Sequence, residues 1–267
     1  MQNQKIRRPA VAGAFYPAQA EQLRAMLHRF LEQADPPPLT GVRALIVPHA
    51  GYVYSGPIAA YGYKLLAAQS PSPSRAILMG PSHRVWFQGV ALGDYTAFQT
   101  PLGPVSVDRA FLQTLAEEDA APFHLLARAH DGEHCLEVQL PFLQMVLPDV
   151  AIAPLLFGEL EPTKVGEALA SHLTEADVIV VSSDLSHYHP YEQAQRLDQA
   201  FIEAVLDGDR RRVGQGEACG QAPILSLMTV AEGKGWQPHL LDYRNSGDTS
   251  GERRQVVGYT AIAYTEV

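Results

Sequence analysis

Two histidines each come directly after a short apolar segment of the chain. His49 follows the segment 43–47 through Pro48, and His83 follows the segment 75–79. Neutral imidazole is the most common protein ligand of transition metals. A single histidine in such a position is more often a hydrogen-bonded structural residue than a ligand. Two histidines in equivalent positions favour a shared role, and we predict that His49 and His83 face one polar, metal-binding pocket.

A third apolar segment, 177–181, is followed by two further polar side chains, Asp184 and His187. A histidine side chain can transfer a proton near neutral pH, so His187 is the candidate acid-base residue. Asp184 would orient His187 or bind substrate. Asp184 could instead cap the next helix, because Asp is a preferred N-cap residue.

The elements that must position these residues are short apolar segments alternating with segments of helical periodicity. Nearly continuous apolar character is typical of strands that are covered on both faces. Their alternation with helices predicts an α/β fold with a mostly parallel central sheet and helices on both faces. Ligands of such sheets bind beyond the carboxyl ends of the strands, where all four side chains would meet. The predicted strands are 43–47, 75–79, 150–156 and 177–181, and the predicted helices are 22–33, 58–68, 137–146, 163–173, 192–206 and 222–231.

Smaller features complete the predicted chain path. Ser55 would cap the second helix, with Pro57 in its first turn. The segment 90–107 predicts a hairpin added to the main sheet, and 256–264 predicts a last strand. The sequence has no internal repeat and no change of composition, so we expect one domain over residues 1–267.

Composition excludes several classes of protein. The formal net charge of −9 argues against nucleic acid as the main partner, because phosphate binding needs a basic face. No segment approaches the roughly 18 apolar residues of a membrane span, and no signal peptide is evident. Two cysteines provide no disulfide framework. We expect a cytoplasmic protein that contacts neither membranes nor nucleic acid.

A cluster of histidine and acidic side chains lies between residues 130 and 137. His134 and Glu137 are three residues apart, so on a helix they would share a face, as in carboxylate-histidine metal sites. On spacing alone a simpler interpretation is favoured, in which Glu133 and Glu137 occupy the first turn of a helix, where the helix dipole favours acids. The cluster could also line the pocket.

Five segments together resemble the Memo family, whose prokaryotic members are called AmmeMemoRadiSam system protein B. They are RRPAVAGAFY (7–16), PHAGY (48–52), GPSH (80–83), EHCLE (133–137) and SSDLSH (182–187). The resemblance implies a fold like that of class III extradiol dioxygenases. It also implies a pocket associated with iron or copper and redox activity, with His49 and His83 as metal ligands. The animal member of the family also binds phosphotyrosine peptides. The prokaryotic name implies radical-SAM and AMMECR-type partners.

The sequence departs from the animal family at two positions. Thr249 stands at the position matched to a cysteine that supplies the third metal ligand there, and Gln139 stands where the animal family has a histidine. The neighbouring Asp248 could complete a set of two histidines and one carboxylate, an arrangement suited to Fe(II). We therefore predict His49, His83 and Asp248 as metal ligands, with Fe2+ favoured over copper.

The preferred function is a metal-dependent redox or dioxygenase-like protein, with His187 and Asp184 as catalytic residues and an unidentified small molecule as substrate. A binding module without turnover, which presents the same pocket to an anionic ligand or a peptide, is one alternative. Metal-assisted hydrolysis is another, because a bound metal can activate water.

Overall fold

The computed structural model describes residues 5–118 and 122–266, and within these ranges a mixed sheet of nine strands forms the centre of the fold. The strands are β1 (Ile6–Arg7), β2 (Val42–Val47), β3 (Arg75–Pro81), β4 (Val90–Leu92), β5 (Ala97–Thr100), β6 (Gly103–Ser106), β7 (Phe123–Leu125), β8 (Ala151–Phe157), β9 (Asp177–Ser182), β10 (His187–His189), β11 (Gln237–Asn245) and β12 (Val256–Thr265). The helices are α1 (Ala20–Gln33), α2 (Tyr52–Ala67), α3 (Arg109–Ala116), α4 (Ala127–His130), α5 (Leu140–Val146), α6 (Pro162–His172), α7 (Tyr191–Leu206), α8 (Arg210–Val213), α9 (Gln221–Lys234) and α10 (Ser246–Ser250), with one 3-10 helix at Glu137–Gln139.

The middle of the main sheet is parallel, as predicted. Strands β2, β9, β3 and β8 lie side by side in that order, and all three pairings between them are parallel. Nearly all of their apolar side chains are buried, which is why each segment is continuously apolar rather than alternating. Antiparallel neighbours flank this core, β12 beside β2 and β4 beside β8. The last strand, β12, confirms the prediction made for 256–264.

Helices cover both faces of the sheet, and β12 shows how the faces are divided. Successive residues of a strand point to opposite faces. Tyr259 and Ala261 pack against Ile58 of α2, whereas Gly258 faces Asp198 of α7. Helices α2 and α7 therefore lie on opposite sides, and the predicted α/β class with helices on both faces is confirmed. None of the helices in the described ranges combines the length and apolar character needed to span a bilayer.

Two local predictions were wrong. The hairpin in the segment 90–107 exists as β5 and β6, but it pairs with β1 in a separate three-stranded sheet, and only β4 joins the main sheet. Helix α2 begins at Tyr52, three residues before the predicted cap, and the Ser55 hydroxyl donates to the carbonyl of Ala50, which precedes the helix. Pro57 is the sixth residue of α2 and lies inside the helix, so it does not mark the start of α2.

Candidate metal centre

The carboxyl ends of the parallel strands bring three of the predicted residues to one edge of the sheet. Val47, the last residue of β2, pairs with Ser182, the last residue of β9. His49 and Asp184 follow these two strand ends, and His83 follows β3 on the other side of β9. The rings of His49 and His83 lie with their centroids 5.1 Å apart. The crevice expected from the strand order therefore holds the two histidines face to edge.

A third histidine, His134, completes the cluster from a different part of the chain. It lies between α4 and the 3-10 helix, and its ring centroid is 5.4 Å from that of His49 and 4.8 Å from that of His83. One ring nitrogen of each histidine lies within 4.8 Å of those of the other two, so the three side chains form a group that could hold one metal ion. The sequence pattern had offered His134 as part of a less favoured carboxylate-histidine metal pair with Glu137, or as a residue lining the pocket.

The buried carboxylate of Glu133 orients two of these rings. Its Oε1 lies 2.9 Å from Nδ1 of His83 and 3.1 Å from Nδ1 of His134. Backbone amides of His83 and His134 also donate to this carboxylate, at 2.7 and 2.8 Å. Burial by itself would raise the pKa of Glu133, but the hydrogen bonds from His134 and His83 outweigh it and hold the pKa well below its usual range. Glu133 is therefore an anion at neutral pH and acts only as an acceptor.

The ionised carboxylate determines which nitrogens of the two rings are free. Because Glu133 only accepts, Nδ1 of His83 and Nδ1 of His134 both carry a proton. The opposite nitrogen of each ring, Nε2, is then the atom available to a metal ion. A carboxylate behind a histidine is the arrangement that orients metal-ligating imidazoles and increases their basicity.

His49 is oriented by a serine rather than a carboxylate. Its Nδ1 lies 2.9 Å from Oγ of Ser182, and that hydroxyl gives its single proton to the carbonyl of Cys135 at 2.7 Å. Gln139 also donates to the same oxygen, at 2.8 Å. With its proton committed, the hydroxyl can only accept from His49, so Nδ1 is protonated and Nε2 carries the lone pair. Gln139, which replaces a histidine of the animal family, here belongs to the network that orients His49.

The His49 ring is neutral over most of the pH range. Burial, reinforced by the neighbouring His83 and His134, lowers the pKa of His49 to about 4, although the charge of Asp184 opposes the shift. Asp184 contacts His49 directly, since its Oδ1 accepts from the His49 backbone amide at 2.8 Å. The next helix begins at Tyr191, so Asp184 serves this contact and does not cap a helix.

Cys219 is the remaining side chain next to His49. Its Sγ lies 3.3 Å from Nε2 of His49 and accepts from the backbone amide of Asp184 at 3.2 Å. Burial raises the pKa of the Cys219 thiol to about 12. The thiol therefore remains protonated in this structure and can donate to the free nitrogen of His49. Composition alone had offered no reason to place this cysteine near the histidines.

Two of the predicted site residues have their contacts outside the group of three histidines. His187 begins β10, and its ring packs edge-on against Tyr188 with centroids 5.8 Å apart. Asp248 lies in α10, where its Oδ2 accepts from the Asn245 backbone amide and its Oδ1 accepts from the Tyr191 hydroxyl. It forms a capping box with Asn245. Both carboxylate oxygens of Asp248 are thus engaged in holding the C-terminal loop.

Exposure to solvent differs among the three histidines, with His49 buried and His83 the most exposed. The residue His49 is 2% exposed, whereas the side chains of His134 and His83 are 17% and 32% exposed. A surface pocket of about 370 Å³ adjoins His83 and is also lined by Trp86, Phe87 and Glu159. A small molecule could therefore reach the cluster from the side of His83.

The N-terminal segment, residues 7–16, closes one flank of the cluster through a second buried glutamate. The Glu137 carboxylate accepts from the backbone amides of Ala10 and Val11, from the Tyr16 hydroxyl and from the Arg7 guanidinium. This contact fixes Phe15, whose ring lies edge-on to His134 at 4.9 Å between centroids. Glu137 thus has a structural role, as the sequence pattern favoured, but by binding the N-terminal segment rather than by stabilising a helix end.

Comparison with known proteins identifies the family. The model of Memo-like proteins matches residues 7–263 of this chain. The chain belongs to the Memo-like family. A MEMO1 family protein of Methanopyrus kandleri is 36% identical over 97% of this chain and 98% of its own length, and one of Archaeoglobus fulgidus is 37% identical over 97% and 99%.

A solved structure supports the fold of this Memo-like chain. The crystal structure of an uncharacterized protein from Escherichia coli K12 superposes with a TM-score of 0.56 and covers 83% of this chain and 99% of its own. The two sequences are 16% identical, so the likeness concerns the fold alone. The architecture is the one predicted for the Memo-like chain, a large central sheet flanked by helices.

Proposed function

We propose that His49, His83 and His134 bind one transition metal ion and that the protein is a metal-dependent enzyme acting on a small organic molecule. The observation that carries this proposal is the position of Glu133. One buried carboxylate holds Nδ1 of both His83 and His134, which leaves their other nitrogens free beside the ring of His49. A shared buried carboxylate that orients two imidazoles beside a third is the arrangement found behind metal-ligating histidines, and a purely structural cluster does not require it.

The donor set agrees with the metals that the family resemblance implies. Three imidazole nitrogens suit iron, copper and zinc, and they leave coordination positions for substrate or water. We favour Fe(II), which would supply oxygen-activating redox chemistry when bound. In this proposal His134 takes the place that the sequence had assigned to Asp248, because both carboxylate oxygens of Asp248 already have partners in α10 and at Tyr191.

The remaining polar residues would support binding and proton transfer. Glu133 and Ser182 fix the tautomers of the three histidines, and Asp184 fixes the backbone of His49. His187 keeps its proposed role as the acid-base residue, which requires substrate to bridge from the cluster toward β10. The exposed side of His83 is the route by which substrate would enter.

The first experiment measures metal binding by anaerobic titration with Fe(II), followed by elemental analysis of the desalted protein. We expect one metal ion per chain in the wild type. His134→Ala should lower the affinity by more than the roughly 10- to 100-fold expected for loss of an orienting group. His239→Ala is the matched control, because His239 contacts Thr265 and lies on β11, away from the cluster.

Asp248→Ala distinguishes the two candidates for the third ligand. Unchanged affinity in Asp248→Ala together with loss of affinity in His134→Ala supports the three-histidine centre. The opposite pattern would overturn the assignment of His134 while keeping a metal site. A wild-type protein that binds no Fe(II), Cu(II) or Zn(II) would contradict the whole proposal.

A hydrolytic function is the second candidate, and the donor set itself favours it. Three histidines with an open position are also the ligands of zinc enzymes that activate water. Oxygen uptake by the Fe(II) protein, measured with candidate phenolic substrates, supports the redox function. Product release from ester or phosphate substrates by the zinc protein, without oxygen uptake, supports hydrolysis instead.

A further inference from the structure

A second cavity lies at the opposite edge of the main sheet from the histidine cluster. Tyr264 of β12 pairs with Ala44 near the start of β2, whereas His49 follows the end of that strand. The cavity has a volume of about 290 Å³ and opens between the C-terminal ends of α7 and α9. It therefore shares no residue with the candidate metal centre.

The Tyr264 hydroxyl is the unusual feature of this cavity. Tyr264 is 2% exposed and lines the cavity, and its hydroxyl has no hydrogen-bond partner among residues 5–118 and 122–266. A buried hydroxyl without a partner is costly, and such groups are rare in folded proteins. Burial raises the pKa of this hydroxyl, so it keeps its proton and remains a hydrogen-bond donor.

The walls of the cavity are apolar and include one indole ring. Leu206, Met228 and Trp236 line it together with Pro238. A flat ring would find favourable contacts against these side chains. The Tyr264 hydroxyl is covered, so a ligand must displace a neighbouring side chain to reach it. Met228 has the flexible, unbranched side chain that can adapt in this way.

The charges at the rim disfavour anions. The carboxylates of Glu232 and Asp207 are paired with Arg210 at 3.4 Å and with Arg212 at 3.1 Å, so these two cations are already engaged and are not available to an anionic ligand. Helices α7 and α9 both end here, and helix C-termini carry partial negative charge. Hydrogen-bond donors on a ligand would therefore strengthen its binding at this rim, and a negative charge on the ligand would weaken it.

We propose that this cavity is a binding site for a small uncharged aromatic carboxamide. Its ring lies against Trp236, its carbonyl accepts from the Tyr264 hydroxyl, and its amide N–H groups face the carboxylates of the rim. The site is independent of the metal centre.

Benzamide and benzoate test the proposal, because they share the ring and differ in charge and in donors. Trp236 and Trp86 are the two tryptophans of the chain, so a Trp86→Phe background makes fluorescence report on Trp236. We expect benzamide to change this fluorescence in a saturable way and benzoate to bind at least tenfold more weakly. Equal binding of the two probes, or no saturable binding of benzamide, would overturn the proposal.

Two variants test whether benzamide binds in this cavity and contacts the Tyr264 hydroxyl. Tyr264→Phe removes only the hydroxyl and should weaken benzamide binding at least fivefold, whereas Tyr61→Phe, a matched change outside the cavity, should leave it unchanged. Leu206→Phe, which narrows the cavity, should also weaken binding and keeps the test available if Tyr264→Phe does not fold. Full benzamide affinity in a folded Tyr264→Phe or Leu206→Phe protein would contradict the assignment.

Discussion

Oε1 of Glu133 lies 2.9 Å from Nδ1 of His83, and the same oxygen also faces Nδ1 of His134. One carboxylate therefore sets the tautomer of two rings that enter the cluster from separate loops. This relationship turns a group of neighbouring histidines into a set of oriented lone pairs, which is what a metal site requires. Substitution of Glu133 therefore tests the orientation of the histidines without removing a proposed metal ligand.

Glu133→Gln should weaken metal binding while leaving the three histidines in place. A neutral amide lacks the charge that strengthens the hydrogen bonds from both Nδ1 atoms, and its NH2 group cannot accept from the His83 backbone amide as Oε2 does, so the two rings are held less firmly. We expect the affinity for Fe(II) to fall by about 10- to 100-fold. Anaerobic titration measures the change, and Glu161→Gln at the surface is the control. Wild-type affinity in folded Glu133→Gln would show that the carboxylate does not orient the ligands.

Glu137→Gln should instead reduce stability, although this glutamate lies only four residues further along the chain. Its carboxylate is fully buried and pairs with Arg7, which is also buried. Removing one member of a buried ion pair leaves the other charge uncompensated, at a cost of about 3–5 kcal/mol. Urea unfolding of the metal-free protein measures this loss. If Arg7→Met and Glu137→Gln cost as much together as the sum of the two single changes, the pair is not coupled.

Gly258→Ala should destabilise the protein through a steric conflict with Asp198. A Cβ at position 258 would collide with the Asp198 carboxylate. That carboxylate cannot easily move, because it accepts from the Ser186 amide at 2.9 Å and the Tyr243 hydroxyl at 2.8 Å. We expect a loss of about 1–3 kcal/mol in urea unfolding. The additional loss caused by Gly258→Ala should be smaller in an Asp198→Ala background, and an equal loss would exclude the steric explanation.

Stability should depend on pH through the buried ring of His130. Burial is the main cause that lowers the pKa of His130 to about 4, and its Nε2 lies 3.0 Å from the Ala91 carbonyl. An unfolded chain protonates histidine near pH 6.5, so between these values the unfolded state binds more protons than the folded state. The contribution of His130 is present above about pH 6.5 and is lost as the pH falls toward 4, by up to about 3 kcal/mol.

Urea unfolding of metal-free protein at pH 7 and pH 5 measures this effect. His130→Gln can keep a donor for Ala91 but cannot titrate, so its stability should fall less between the two pH values than that of the wild type. His28→Gln changes an exposed ring and should leave the pH dependence unaltered. The same pH dependence in His130→Gln as in the wild type would contradict the prediction. His49 retains its own contribution in all three proteins.

Much of the fold and part of the site follow from short-range features of the sequence. Continuous apolar segments and helical periodicity predict the parallel core of the sheet, because burial on both faces leaves a local pattern. The strand ends then place His49, His83 and Asp184 at one edge, since parallel strands share the direction of their carboxyl ends. The five motifs that resemble the Memo family also lie within contiguous segments and need no tertiary structure to be recognised.

Long-range packing decided the rest. His134, Glu133 and Cys219 reach His49 or His83 through loops whose paths depend on contacts more than 45 residues apart in sequence, such as that between Glu133 and His83. No local pattern distinguishes these residues from helix-end acids or isolated thiols. For Asp248 the sequence suggested a metal ligand. The structure shows instead that its carboxylate makes short-range capping contacts with Asn245. The sequence alone determined the family, the parallel core and two of the three clustered histidines. Only the tertiary structure decided which third side chain joins them and what holds the rings in place, because those contacts form only when separate loops pack together.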